Sequence, residues 1–294
     1  MIYDIRHVTT YEYESAVSFA RCSLRLEPLS GDGQELISHS VDIRPRPSER
    51  TARRDFFGTL TESVVIDTQH RHLRIDSRSR VKLSRTPPER DAPSADWEQV
   101  RDAAFEATSL GPSSPIGYVF ESALVPVLEL VTDYAAASFR AGTGIGIVTG
   151  AADLMRRIRK EFRYDPKATV ISTPLREVFD NRHGVCQDFA HVMIAGLRGL
   201  GLPAAYVSGY LRTIPPEGQP RLQGADATHA WVSLWCGDEL GWIGFDPTND
   251  LLVGNDHIIL GMGRDFSDVS PVDGIIVGSP KQKLGVAVDV VRVE

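Results

Sequence analysis

Three residues of this 294-residue chain have the types and the order that thiol chemistry needs: Cys186, His229 and Asp246. Cys186 lies in NRHGVCQDFAHVMIAGLRGLG (181–201), immediately before a strongly patterned helical stretch. At about 100° per residue, Cys186, Ala190, Met193, Leu197 and Leu200 form one stripe, with Asp188, His191 and Arg198 on the opposite side. That stripe alone fits a cysteine used as a small core filler. The place in the first turn adds a second reading, because unpaired N–H groups and the positive end of the helix dipole favour an anion there. The dipole contributes at most about 2 kcal/mol. Full ionisation of a thiol at neutral pH takes more, so a cationic neighbour must supply the rest, most often a histidine held by a carboxylate.

THAWVSLW and GWIGFDP supply that pair, with His229 at the start of one strand and Asp246 at the end of the next. Antiparallel neighbours set the start of one strand opposite the end of the other. Alternation puts His229, Trp231, Ser233 and Trp235 on one face, with Trp242, Gly244 and Asp246 across from it. The expected roles are Cys186 as nucleophile, His229 as base and Asp246 as its orienter, with the Cys186 backbone N–H as an oxyanion donor. Trp231 and Trp242 are expected to wall a substrate slot, although packing in the sheet core is the plainer reading for them. Tyr210 offers a hydroxyl near the site. A zinc site on His183, Cys186 and His191 is not expected, because His191 lies about 140° round the helix from Cys186. Nor is a phosphate loop expected in GMGRDFSD (261–268), which lacks the GxGxxG order and a following helix. The reading therefore includes no cofactor and no metal.

The elements that must carry these residues fall into two parts. Residues 1–85 run as short alternating segments broken by Gly-Asp-Gly and Pro-rich stretches, the writing of an antiparallel β-sandwich. TPPERDAPSA (86–95) reads as a linker. Beyond it, helical spacing precedes the Cys186 helix and strands follow it, which argues for an α+β domain. The expected division is residues 1–86 and 96–294. A hydrophobic share of 42% is enough for a sizeable core, and a net charge of -7 offers no basic field for nucleic acid. No stretch approaches the roughly 18 apolar residues of a membrane span, and the N-terminus carries no export signal. Three widely spaced cysteines read as thiols of a reducing, cytoplasmic setting.

On RHGVCQDFAH, LRGLGLPAAYVSGY, THAWVSLW, GWIGFDPTND, GRDFSDVSPVDG and the N-terminal IRHVTTYEY, the chain resembles the bacterial transglutaminase-like proteins, a family also described as cysteine proteases with a papain-like core. The resemblance covers nearly the whole chain. It implies an N-terminal β domain, a papain-like/transglutaminase-like catalytic core and a triad on Cys186, His229 and Asp246. It also implies thiol-dependent acyl transfer or hydrolysis at an amide of a peptide or protein through a thioester. Hydrolysis is favoured, since water is the default acceptor. Protein-glutamine gamma-glutamyltransferase crosslinking is the alternative, and a non-catalytic peptide-binding module is the rival from another class. Calcium is not carried over, because the added β-barrels of eukaryotic transglutaminases and a D-x-D-x-D-G loop are both missing from the sequence.

Overall fold

A computed structural model describes residues 1–213, 227–278 and 281–293. Alternation builds the first region: in β1 (Ile2–Val17), Tyr3, Ile5, His7 and Thr9 are buried and their neighbours are not, as in a strand with one covered face. β1 pairs antiparallel with β6 (His70–Leu83), and β6 with β3 (Gln34–Arg44). β2 (Phe19–Leu24) pairs with β5 (Leu60–Ile66), and β5 with β4 (Glu49–Arg54). The two sheets bury Tyr13, Val17, Leu24, Val64, Ile66 and Leu73 between them, so the expected sandwich is present. β4 escapes the sequence pattern because all six residues of ERTARR are exposed and none alternates.

Two further strands of this sandwich come from beyond the core. β14 (Val272–Val277) pairs with β2, and β15 (Gln282–Arg292) pairs with β1. The sheet orders are β15-β1-β6-β3 and β14-β2-β5-β4. A division at residues 1–86 and 96–294 is therefore corrected at its C-terminal side, since 272–292 pair with the first region. Alternation identifies such a segment as a strand but not its partner, and here it closes edges that β1 and β2 would otherwise leave open.

Between these contributions lies the α+β core. Its sheet has the order β12-β11-β10-β9-β13 and is antiparallel throughout, formed by β9 (Ala204–Leu211), β10 (Ala227–Trp235), β11 (Trp242–Asp246), β12 (Leu251–Leu252) and β13 (His257–Gly263). α1 (Trp97–Phe105), α2 (Glu129–Phe139), α3 (Ile147–Glu161) and α4 (Leu175–Asn181) surround α5 (Cys186–Gly199), with the short parallel pair β7 (Arg163–Tyr164) and β8 (His183–Gly184) beside it. α5 packs on β9 and β10 beneath α2 and α3, and every residue from Asp188 to Arg198 is buried. The polar stripe expected to face outward is thus enclosed as well, as in a helix covered on all sides. Its groups are satisfied locally. The Arg198 guanidinium donates to the Ala204 and Arg264 carbonyls at 2.8 and 2.6 Å and to Ser122 Oγ at 3.1 Å, and His191 Nε2 accepts from Phe266 N at 3.3 Å.

A one-turn helix, α6 (Phe266–Val269), does follow the glycines of 261–268, contrary to expectation. Asp265 caps it, Oδ1 accepting from Ser267 N at 2.8 Å, so a carboxylate already occupies the position an anion would seek. No helix among the described residues is long and apolar enough to cross a membrane. The sandwich and the core meet where Tyr3, Ile5, Val81, Leu83, Val288 and Val290 pack on Tyr210, Ile258 and Leu260.

Candidate active site

α5 begins at Cys186, after an extended Val185 with φ −115° and ψ −178°. Asp188 fixes this entry, its Oδ2 accepting from Val185 N at 2.8 Å and from Thr169 Oγ1 at 2.6 Å. Burial pushes the Asp188 pKa up, against those two hydrogen bonds. A Cβ on Gly184 would lie 2.6 Å from Asp188 Oδ2, so the glycine before the cysteine is required by this packed carboxylate. Cys186 is half-buried and, with Gln187, lines a cavity of about 290 Å³. The N–H groups of both residues belong to the first turn, which the helix itself leaves unpaired.

Opposite the thiol, β10 and β11 pair with Val232 against Phe245, which brings Asp246 onto the side of His229. His229 Nε2 lies 2.8 Å from Asp246 Oδ2. His229 lines the same cavity as the Cys186 thiol and lies near enough for each to bear on the other's charge. The carboxylate is held on every side. Its Oδ1 accepts from Thr248 N at 3.0 Å and Asn249 N at 3.2 Å, while Oδ2 also accepts from Asn249 Nδ2 at 2.7 Å and faces His257 Nε2 at 3.2 Å.

Burial of Asp246 is complete and would by itself raise its pKa, but the hydrogen bonds from His229 and His257 and their positive field hold it well below the usual carboxylate range. Burial would likewise lower His229. The hydrogen bond to Asp246, the neighbouring Cys186 sulfur and the charges of both carry it up to about 10. The structure thus sets His229 against Asp246 and on the same cavity as Cys186.

It places the other predicted site residues elsewhere. Trp231 is buried with Val207 and Val253, its ring edge-on to His257 at 5.2 Å, so it backs the histidines without lining the cavity. Trp242 donates from Nε1 to the Ser113 carbonyl at 3.1 Å and packs on Tyr118. The Tyr210 hydroxyl is engaged 2.9 Å from His7 Nδ1. The cavity floor is instead Tyr206 and Ser208 of β9 with Thr228 and Ala230 of β10. Sequence reasoning missed Tyr206, although it alternates with Ser208 and Tyr210 along one strand. It also missed His257, whose only local signal is its place at the head of a strand after Gly254-Asn255-Asp256.

His229, Asp246 and His257 are also the described residues whose ligating atoms cluster, all within 4.8 Å of one another. A cation there would have to displace the Asn249 amide from Asp246 Oδ2, and would meet a histidine that its surroundings favour as protonated. The other two cysteines lie apart. Burial pushes the Cys22 thiol up to about 11 and the Cys236 thiol above the ordinary thiol range.

Residues 3–82 match the family model of the bacterial transglutaminase-like N-terminal region, and residues 136–247 match that of the transglutaminase-like superfamily core. An uncharacterized protein of Mycobacterium tuberculosis is 40% identical over 301 residues, covering 99% of this chain and 93% of that protein. The crystal structure of a candidate cysteine protease from Cytophaga hutchinsonii superposes with a TM-score of 0.77 at 18% identity, covering 100% of this chain and 91% of that one. A protein-glutamine gamma-glutamyltransferase of Pseudomonas aeruginosa is 33% identical over 103 residues, which are 32% of this chain and 15% of that protein.

Proposed function

The chain belongs to the bacterial transglutaminase-like family, and from that premise we propose that it is a thiol enzyme acting at an amide of a peptide or protein, with Cys186, His229 and Asp246 as its catalytic residues. The observation that carries this reading is the single imidazole of His229, 2.8 Å from a buried carboxylate and lining one cavity with the Cys186 thiol. Such a ring holds a proton next to sulfur and can give it up in the next step.

The Cys186 thiolate attacks the amide carbonyl and a C–S bond forms. First-turn N–H groups at Cys186 and Gln187 accommodate the oxyanion. The imidazolium of His229 then passes its proton to the departing amine as the C–N bond breaks, leaving a thioester. Asp246 keeps the ring oriented and stabilises its charged form. In hydrolysis, water attacks the thioester, His229 takes the water's proton, the C–S bond breaks and the carboxylic acid leaves.

Hydrolysis is the favoured outcome because water is always present in the cleft. The partial likeness to a protein-glutamine gamma-glutamyltransferase supports a second reading, in which an amine takes the acyl group. Mass spectrometry of products from a glutamine peptide, with and without a primary amine, separates the two. Cys186→Ala should abolish the trapped thioester while leaving the melting temperature nearly unchanged. A turnover-competent Cys186→Ala protein, or one that unfolds for lack of the thiol, would sink the proposal. A reducing, cytoplasmic setting is part of the same proposal, on the wide spacing of Cys22, Cys186 and Cys236 in the sequence.

A further inference from the structure

The cavity beside Cys186 is walled on its far side by the sandwich. β1 and β15 pair with Ile5 against Val290, His7 against Val288, Thr9 against Val286 and Tyr11 against Leu284. These four rows point the same way, because directly opposed residues share a face and the face repeats every second residue. The first two rows are fully covered by the core: Ile5, His7, Val288 and Val290 are at most 4% exposed. Coverage then stops on β15, although Thr9, opposite Val286, is still only 2% exposed. Val286 is 49% and Leu284 55% exposed, yet both line the cavity that holds Cys186 and His229, together with Thr9 and Tyr11.

The inner face of the sheet thus continues past the core as an overhang above the nucleophile. Its neighbours along the rim, Ile171, Pro271 and Val272, extend the same character. Among the described residues, no Asp, Glu, Lys or Arg lines the cavity. His7 is consumed by Tyr210 at 2.9 Å and Thr9 at 3.0 Å, and burial pushes it down to about 4, so it brings no charge at neutral pH. The hydrogen bond to Tyr210 fixes the sandwich to β9, the strand paired with His229, and so sets the overhang relative to the thiol.

We infer that the rows Thr9/Val286 and Tyr11/Leu284 are the specificity surface of the site and receive an apolar side chain flanking the reacting amide. The substrate class is accordingly a peptide or protein segment with a bulky apolar residue near that amide. A charged residue at that position would be desolvated without a partner, whereas an apolar one covers side chains that water now touches. The first domain then acts in catalysis by selecting the acyl donor. This inference rests on the function proposed above.

A positional-scanning octapeptide library, with Leu or Asp fixed at each position in turn, tests it through the mass-detected acyl adduct on Cys186 and through kcat/KM of the preferred peptides. At least one position near the reacting amide should favour Leu over Asp by about tenfold or more. In Leu284→Asp/Val286→Asp, whose positions are half-exposed and whose folding is checked by an unchanged melting temperature, that preference should collapse through KM, with kcat and Cys186 alkylation by iodoacetamide unchanged. Indifference to Leu and Asp, or a preference that survives the double substitution, overturns the specificity surface and leaves the thiol chemistry standing. If no peptide acylates Cys186, the underlying function fails and the inference with it.

Discussion

Two histidines flank the same cavity in opposite states. His7, from the sandwich, and His229, from the core, are 2% and 9% exposed. Burial takes His7 down to about 4, whereas His229 rises to about 10 despite it. The difference is in their partners: His7 touches two hydroxyls, whereas His229 is held by a buried carboxylate and shares its cavity with a thiol. His191, buried beneath α6 with no carboxylate in hydrogen-bond contact, is also lowered to about 4, with burial the leading cause. Enclosure therefore makes a histidine neutral by default, and only a fixed anion reverses that default.

Removing the anion is the strongest way to break the contrast. Asp246→Asn should turn His229 into a second His7, its titration by NMR falling below its ordinary value and turnover dropping about 10⁴-fold. A His229 that still titrates near 10 would detach its charge from the carboxylate. Next in size is the contrast among thiols. At pH 7, iodoacetamide should label Cys186 at least about 10³-fold faster than Cys22 or Cys236, both buried and without such a partner. Equal rates would remove the imidazole from the argument.

Stability gives a smaller but opposite pair of slopes. A histidine whose folded value lies below its unfolded one stabilises fully above about 6.5 and loses that contribution as pH falls toward about 4, which costs about 3 kcal/mol for His7. For His229 the sign is inverted: its contribution is complete below about 6.5 and is lost as pH climbs through about 10. Urea midpoints at pH 7 and pH 4.5 should show His7→Gln losing less on acidification than the native chain, and equal losses would contradict the assignment. The smallest effect belongs to His257→Phe, which removes one of the donors on Asp246 Oδ2. Turnover should fall about tenfold, and the Asp246 titration should move up toward the ordinary carboxylate range, because a hydrogen bond and a positive field that hold it down are lost. An unmoved Asp246 would make His257 a packing residue only.

How much of this was legible in the sequence follows from what each residue depends on. Cys186 is marked by a glycine and a helix start, and the pair of His229 and Asp246 by a hairpin whose register follows from a short turn. Both signals are local, and in the structure Cys186 and His229 line one cavity while Asp246 holds the histidine. His257 is not local. It reaches Asp246 because β13 crosses to pair with β9 at the far edge of the sheet, a topological choice that no window of sequence records. The tryptophans misdirect for a related reason: alternation gives Trp231 the face of His229, but it leaves open that the far end of this face is filled by Val207 and Val253. α5 misleads differently, because a two-sided pattern predicts one wet face, while Arg198 finds its three acceptors in Ala204, Arg264 and Ser122, only the first of them nearby in sequence.

The return of β14 and β15 to the first region also orders events during synthesis. On a ribosome, the segment carrying Cys186, His229 and Asp246 emerges before the strand that bears Leu284 and Val286. Thr9 and Tyr11 emerge earlier still, so the proposed overhang is complete only once β15 pairs back onto β1, after all three candidate catalytic residues have been made.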